Sequence, residues 1–170
     1  MTSSSARPLL FLDVDGPLLP FGGPAREPSG AGPGNPLLAR LDPALGPRLL
    51  ALGCPLVWAT TWGDEANDSI GPRLGLPRLP VLDRPGATPT GMPRGLHWKT
   101  PALVAWAGRR PFVWVDDEIG PVDRLWVEAA HPAPALLHRV APAVGLTDAD
   151  FRVLDDWVRR QTDSRANPQV

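Results

Sequence analysis

Residues 8–20 read PLLFLDVDGPLLP. An unbroken apolar run leads into two aspartates, Asp13 and Asp15, with only Val14 between them, and Gly16 and Pro17 follow at once. A short run that is apolar on both faces is the pattern of a buried strand in a parallel sheet. Residues two apart on a strand face the same way. The two carboxylates are therefore expected to converge just past the strand end, where Gly16 permits a tight departure. Carboxylates brought that close repel unless a cation or a proton lies between them.

Two further segments share this grammar. CPLVWATT (54–61) and PFVWVDD (111–117) are apolar runs that end in polar residues. RLPVLD (78–83) and ALLHRV (135–140) are weaker strand candidates. Between them lie helical patterns. DPALGPRLLALG (42–53) has Pro near its start and Gly at its end. TPALVAWAGRR (100–110) offers Thr100 as N-cap, Pro101 as first helical residue, and Arg109 and Arg110 at its C-terminus. LTDADFRVLDDWVRR (146–160) offers Thr147 as N-cap with Asp150 in the third helical position. Alternation of strand and helix predicts an α/β fold with a mainly parallel sheet. In such sheets ligands gather outside the carboxyl ends of the strands, and all three polar endings fall there.

At 170 residues the chain suits one domain with one real core, and 43% hydrophobic residues can fill it. The expected organisation is a short flexible N-terminus (1–7), a single domain (8–161) with a mobile Gly/Pro-rich loop at 20–36, and a frayed tail (162–170). Net charge is −1, which argues against a general nucleic-acid coat or a basic membrane binder. No apolar run approaches the roughly 20 residues that span a bilayer, and the polar start MTSSSARP lacks a secretory core. A cytoplasmic protein is the expectation. Cys54 is the sole cysteine, so an internal disulfide is excluded, and it reads as a small core residue beside the second strand. Lys99 is the sole lysine against 16 arginines, as in a GC-rich coding sequence. A lysine that persists in that background points to a task arginine does not perform.

Asp116 and Asp117 end a strand as Asp13 does, so three acidic positions meet at one sheet edge. Magnesium favours hard oxygen ligands and tolerates few protein carboxylates, which makes this edge a candidate Mg²⁺ cradle. Thr60 closes the middle strand with a hydroxyl and a following backbone N–H, groups suited to phosphate. Lys99 stands just before the expected N-cap of a helix, where a cation is unfavourable by roughly 0.3–1 kcal/mol unless an anion sits there too.

Taken in order, FLDVDGPL, LVWATTW, HWKTPALVAW and FVWVDDE resemble the motifs of the haloacid dehalogenase-like (HAD) hydrolase superfamily, over residues 9–118. The resemblance implies a Rossmann-like three-layer α/β/α sandwich, bound Mg²⁺ and phosphoryl transfer through an aspartyl phosphate. By position Asp13 would be the nucleophile and Asp15 the general acid/base. Thr60 and Lys99 would hold the phosphoryl oxygens, and Asp13, Asp15, Asp116 and Asp117 would form the metal site. Pro17 departs from the family, which usually has Thr or Val there. The segments before and after Thr60 are too short for a large cap domain, so the chain resembles a capless member with an open cleft. LDVDG…WATTW is similar to the HAD domains of bacterial RNA-repair proteins. The implied activity is Mg²⁺-dependent hydrolysis of an unidentified phosphomonoester, with a phosphorylated small molecule or a nucleic-acid end as substrate, and with neither a membrane nor a stable protein partner.

Other readings compete. The acidic pairs could be an Asx-rich turn and a helix N-cap, and Thr61 could replace Thr60. A receiver domain uses similar groups, but its lysine comes last, whereas Lys99 precedes Asp116. A catalytically silent HAD-like module that binds a protein or nucleic acid is the alternative of a different class. Trp58, Trp106, Trp114 and Trp157 read as core, and Trp62, in the loop after Thr60, as packing or a stacking platform. His97, His131 and His138 are too scattered to suggest zinc. Arg26, in the Gly/Pro loop, could reach a second phosphate.

Overall fold

The structure, a computed structural model, describes residues 7–22, 36–86 and 90–166. The loop expected to be mobile, Arg26 included, lies outside the described residues from 23 to 35, as do most of the N-terminus and residues 167–170.

Four parallel strands form one sheet in the order β2–β1–β3–β4. They are β1 (Leu9–Leu12), β2 (Leu56–Trp58), β3 (Phe112–Asp116) and β4 (Ala135–Arg139). The first three are the three apolar runs of the sequence, and all their residues are buried. ALLHR forms the fourth. RLPVLD gives only a single bridge, Val81 beside Trp58, closed by hydrogen bonds from Trp58 N to Pro80 O and from Leu82 N to Trp58 O. Pro80 lacks the N–H that the preceding rung of a longer ladder would need.

Strand alternation sorts the core onto two faces. Leu10, Leu12, Trp58, Val113 and Val115 point to one side, where α1 (Leu45–Ala51), α2 (Gly71–Leu74) and α5 (Asp148–Ala166) cover them through Leu49, Leu74, Phe151 and Leu154. Leu9, Phe11, Val57, Phe112 and Trp114 point to the other, beneath α3 (Lys99–Ala107) and α4 (Pro121–Ala130), which contribute Leu103 and Val127. The result is the expected three-layer α/β/α sandwich of Rossmann-like type. Each fully buried Leu or Phe contributes roughly 1.5–3 kcal/mol. Gly46 allows α1 to press on α2, since a Cβ there would lie 1.7 Å from the Leu74 carbonyl oxygen. Between β2 and α3 the described chain holds only a π-helical turn (Ala66–Ile70) and α2, and no cap domain. No helix among the described residues is long and apolar enough to cross a membrane.

Several local expectations need correction. α3 begins at Lys99, one residue before the expected cap Thr100. Thr100 is buried and its hydroxyl donates to Asp123 Oδ1 at 2.6 Å, so it cannot cap; His97 Nδ1 accepts the Lys99 N–H instead, at 3.1 Å. Asp116 and Asp117 do not cap the next helix: α4 starts after Gly120, whose N–H is taken by Asp123 Oδ2. Trp106 is 42% exposed, while Trp58, Trp114, Trp157 and Cys54 are buried as expected. α5 continues to Ala166, into the stretch expected to fray.

The start of α5 follows the sequence closely. Thr147 N donates to Asp150 Oδ2 at 2.7 Å, and Asp150 N donates to Thr147 Oγ1 at 3.4 Å, a reciprocal capping box. Thr147→Ala is expected to cost about 1 kcal/mol, or a fall in Tm of roughly 2–4 °C for a domain of this size. An unchanged Tm in thermal melts would show that the box contributes nothing.

Candidate active site

The strand order places the site. β1 leads outward to β2 on one side, and β3 leads to β4 on the other, so the chain reverses direction between β1 and β3. Ligands in open α/β sheets bind at such a switch point. Asp13 directly follows β1, and its N–H donates to Val115 O at 3.0 Å, so the residue is locked against the end of β3. Asp116 ends β3. On the other flank Ala59 N donates to Leu12 O at 2.9 Å, which sets Thr60 one residue beyond the same edge.

Lys99 sits between the strand ends. Its ammonium lies 2.6 Å from Asp116 Oδ2 and 3.2 Å from Asp13 Oδ1, and all three side chains are buried. Asp116 is further held by Trp114 Nε1 (3.1 Å, to Oδ2) and by the Glu118 N–H (2.9 Å, to Oδ1). Asp13 Oδ1 also accepts the Val14 N–H at 2.9 Å. Asp117 comes close to the turn after Asp13, where Gly16 has φ +92° and a Cβ would lie 2.7 Å from Asp117 Cγ. Any side chain at position 16 would therefore be strained and would push on Asp117. Arg139 Nε fixes Asp117 from behind through its carbonyl oxygen, at 2.9 Å.

One oxygen from each of Asp13, Asp116 and Asp117 lies within 4.8 Å of the others. Three buried carboxylates against one lysine leave excess negative charge in a dry place. Burial pushes the Asp13 carboxyl up to about 7, with Lys99 opposing the shift and Asp116 adding to it. Burial, reinforced by Asp116, raises Asp117 as well. A set of hard oxygen donors with unmet negative charge fits a divalent cation such as Mg²⁺.

Asp15 is not part of this cluster. The chain leaves the strand direction after Leu12 and turns back, with Gly16 N bonded to Leu19 O. The Asp15 carboxylate instead accepts the Trp62 indole N–H on Oδ2, at 3.1 Å. Thr60 is buried, and its Oγ1 accepts the Trp62 backbone N–H at 3.2 Å. The expected residues are thus linked as two sets of contacts, Asp13, Asp116, Asp117 and Lys99 at the switch point, and Asp15 and Thr60 joined through Trp62.

The family described as "HAD domain in Swiss Army Knife RNA repair proteins" matches residues 9–151, which include every one of these groups. The chain belongs to this HAD-domain family. Comparisons with curated proteins and with solved structures find no match.

Sequence reasoning missed two parts of this HAD site. Buried Asp123 accepts from His97 N (2.8 Å), Thr100 Oγ1 (2.6 Å) and Gly120 N (2.8 Å). It ties the first turn of α3 to the first turn of α4, and so sets where Lys99 stands relative to Asp116. Trp114 is a core residue whose indole also braces Asp116. The spacing Trp114-x-Asp116 on one strand face is the signal that could have revealed it.

Proposed function

We propose that this HAD domain is a Mg²⁺-dependent phosphomonoester hydrolase working through an aspartyl phosphate. The observation that carries the reading is the Lys99 ammonium held between Asp13 and Asp116, with Asp117 in the same cluster and Thr60 at the neighbouring strand end. A lysine buried among carboxylates at a switch point is a place built to receive a further anion together with a cation.

Asp13 Oδ1 is engaged by Val14 and Lys99, which leaves Oδ2 as the attacking atom. Attack on phosphorus forms the Asp13–phosphoryl bond and breaks the bond to the leaving oxygen, which takes a proton from Asp15. Asp15 then accepts a proton from water as that water attacks phosphorus. The acyl-phosphate bond breaks, and inorganic phosphate and the Asp13 carboxylate are released. Lys99 and the Thr60 hydroxyl hold phosphoryl oxygens as charge develops on them. A divalent cation held by Asp13, Asp116 and Asp117 would neutralise the charge that otherwise keeps a carboxylate from a phosphate.

A nucleotide or nucleic-acid end is the substrate class supported by the family's description as a domain of RNA repair proteins. The absence of a cap among the described residues suits a large substrate. A cytoplasmic setting, where Cys54 stays reduced, suits the same reading, and no stable protein partner is part of it. The test is a panel of nucleotides, sugar phosphates and 3′- and 5′-phosphorylated oligonucleotides. Hydrolysis is expected with Mg²⁺, strongest on the oligonucleotide ends, and lost in EDTA. Undiminished turnover in EDTA would refute the metal-dependent mechanism, and no turnover of any ester would refute the reading.

A further inference from the structure

We propose that Trp62 is a positioning residue that orients the acid/base carboxylate of Asp15 and the hydroxyl of Thr60 together. The proposal rests on the phosphatase reading above, and goes beyond it by assigning a task to a residue that touches no reacting atom.

Trp62 donates two hydrogen bonds into the site from one residue. Its indole N–H goes to Asp15 Oδ2 at 3.1 Å, and its backbone N–H goes to Thr60 Oγ1 at 3.2 Å. Each constrains a proton. An indole N–H is a donor with no acceptor function. Beside it, Asp15 Oδ2 serves as the acceptor, a role the carbonyl oxygen of a carboxyl fills best, so a proton carried by Asp15 favours Oδ1. That is the oxygen this arrangement would turn toward a leaving group. The backbone N–H likewise occupies one lone pair of Thr60 Oγ1, so the hydroxyl hydrogen must point elsewhere, toward an incoming acceptor such as a phosphoryl oxygen.

The platform that holds Trp62 is braced. Gly63 N donates to Thr60 O and Glu65 N to Trp62 O, which closes the turn. Buried Asn67 anchors that turn to the sheet, taking Trp58 Nε1 (2.9 Å) and Leu79 N (2.8 Å) on Oδ1 and donating from Nδ2 to Asp64 Oδ1 (2.9 Å) and Leu79 O (2.8 Å). The Trp62 ring is half-buried and packs on the core face shared with Leu18 and Leu19. A rigid ring on a braced turn is suited to fixing a carboxylate that stands on the other loop of the site, 47 residues away in sequence.

The test compares esters with good and poor leaving groups in the full chain with Mg²⁺. p-Nitrophenolate leaves without a proton, whereas the alkoxide of β-glycerophosphate must be protonated as it departs. Trp62→Phe keeps the apolar packing and removes the indole donor. It is expected to lower kcat/KM about tenfold for β-glycerophosphate and to leave p-nitrophenyl phosphate within about twofold. In an Asp15→Asn background the same substitution should have no further effect on the alkyl ester, because the two residues act as one unit. The Trp62 indole proton resonance of the otherwise native protein should also shift in Asp15→Asn, a readout that holds even if Trp62→Phe folds poorly. Equal losses on both esters, full additivity with Asp15→Asn, or an unmoved indole resonance would overturn the positioning role alone. A rise in KM confined to nucleotide substrates would make Trp62 a base platform and overturn it too. Wild-type protein inactive on both esters and on the wider panel would overturn the phosphatase reading, and this inference with it.

Discussion

Asp13→Asn is expected to abolish phosphomonoester turnover, by on the order of 10⁴-fold or more, while the protein keeps its fold and its melting temperature. Loss of rate follows from the proposed role, because an amide neither attacks phosphorus nor accepts the covalent phosphoryl group. The stability expectation is less usual and follows from electrostatics. Asp13 is a buried carboxyl pushed up to about 7 by desolvation and by Asp116. A carboxyl with a raised folded-state value contributes stability that is fully present below its unfolded value near 3.8 and is lost as pH rises through about 7. Asparagine has the same shape and no charge, so above pH 7 the metal-free variant should melt no lower than the wild type. Its Oδ1 can still accept the Val14 N–H and a Lys99 proton. Mg²⁺ should raise its Tm less than it raises that of the wild type, since one anionic ligand is gone. Residual turnover above about one part in a hundred would remove Asp13 as the nucleophile. A collapse of the fold would mean that its contacts matter more than its charge.

How far the site was legible in the sequence depends on what carries each residue. Asp13, Thr60 and Asp116 end strands that are buried on both faces, and such strands appear in sequence as unbroken apolar runs. Their endings could therefore be read as one sheet edge before any geometry was known. Lys99 stood out by composition. Asp15 lies outside the cluster of Asp13, Asp116 and Asp117 and meets Trp62 instead, a contact that alternation does not report. The backbone turns beyond Asp15, through a positive φ at Gly16, and strand periodicity does not describe the chain past that turn. α4 was not visible as a helix for a related reason. Its pattern is partly inverted, with Asp123 buried as a hydrogen-bond hub and Leu125 67% exposed. Trp106 likewise sits on an open flank of α3 despite its size. Apolar pattern reports packing on the sheet, whereas Asp123 and Trp62 act through polar contacts between segments far apart in the chain.

The second large effect is expected at Lys99. Lys99→Met removes the ammonium that lies beside two of the three clustered carboxylates, and breaking a buried pair from one side costs about 3–5 kcal/mol. In a domain of this size that is a Tm lower by roughly 10 °C. The loss should depend on pH. Lys99 opposes the upward shift of Asp13, so without it the carboxyl climbs further above its unfolded value. Near pH 5 the carboxyls can take up protons and relieve the repulsion. At pH 8 proton uptake is harder and the penalty is larger, so the gap between wild type and variant should widen as pH rises. Mg²⁺ should close part of that gap, stabilising Lys99→Met more than the wild type because it supplies the missing positive charge to the same oxygens. Equal destabilisation at pH 5 and pH 8, with no differential response to Mg²⁺, would reduce Lys99 to a packing residue. Lys99→Arg separates charge from fit. Guanidinium keeps the cation but is planar and broad, and the lysine side chain it would replace is only 3% exposed, wedged between Asp13 and Asp116. Arginine should therefore recover much of the stability lost in methionine and little of the turnover, because a displaced cation can still balance the cluster without meeting the phosphoryl oxygens. Full turnover in Lys99→Arg would show that the charge alone suffices, and that the single lysine of this arginine-rich chain is there by chance.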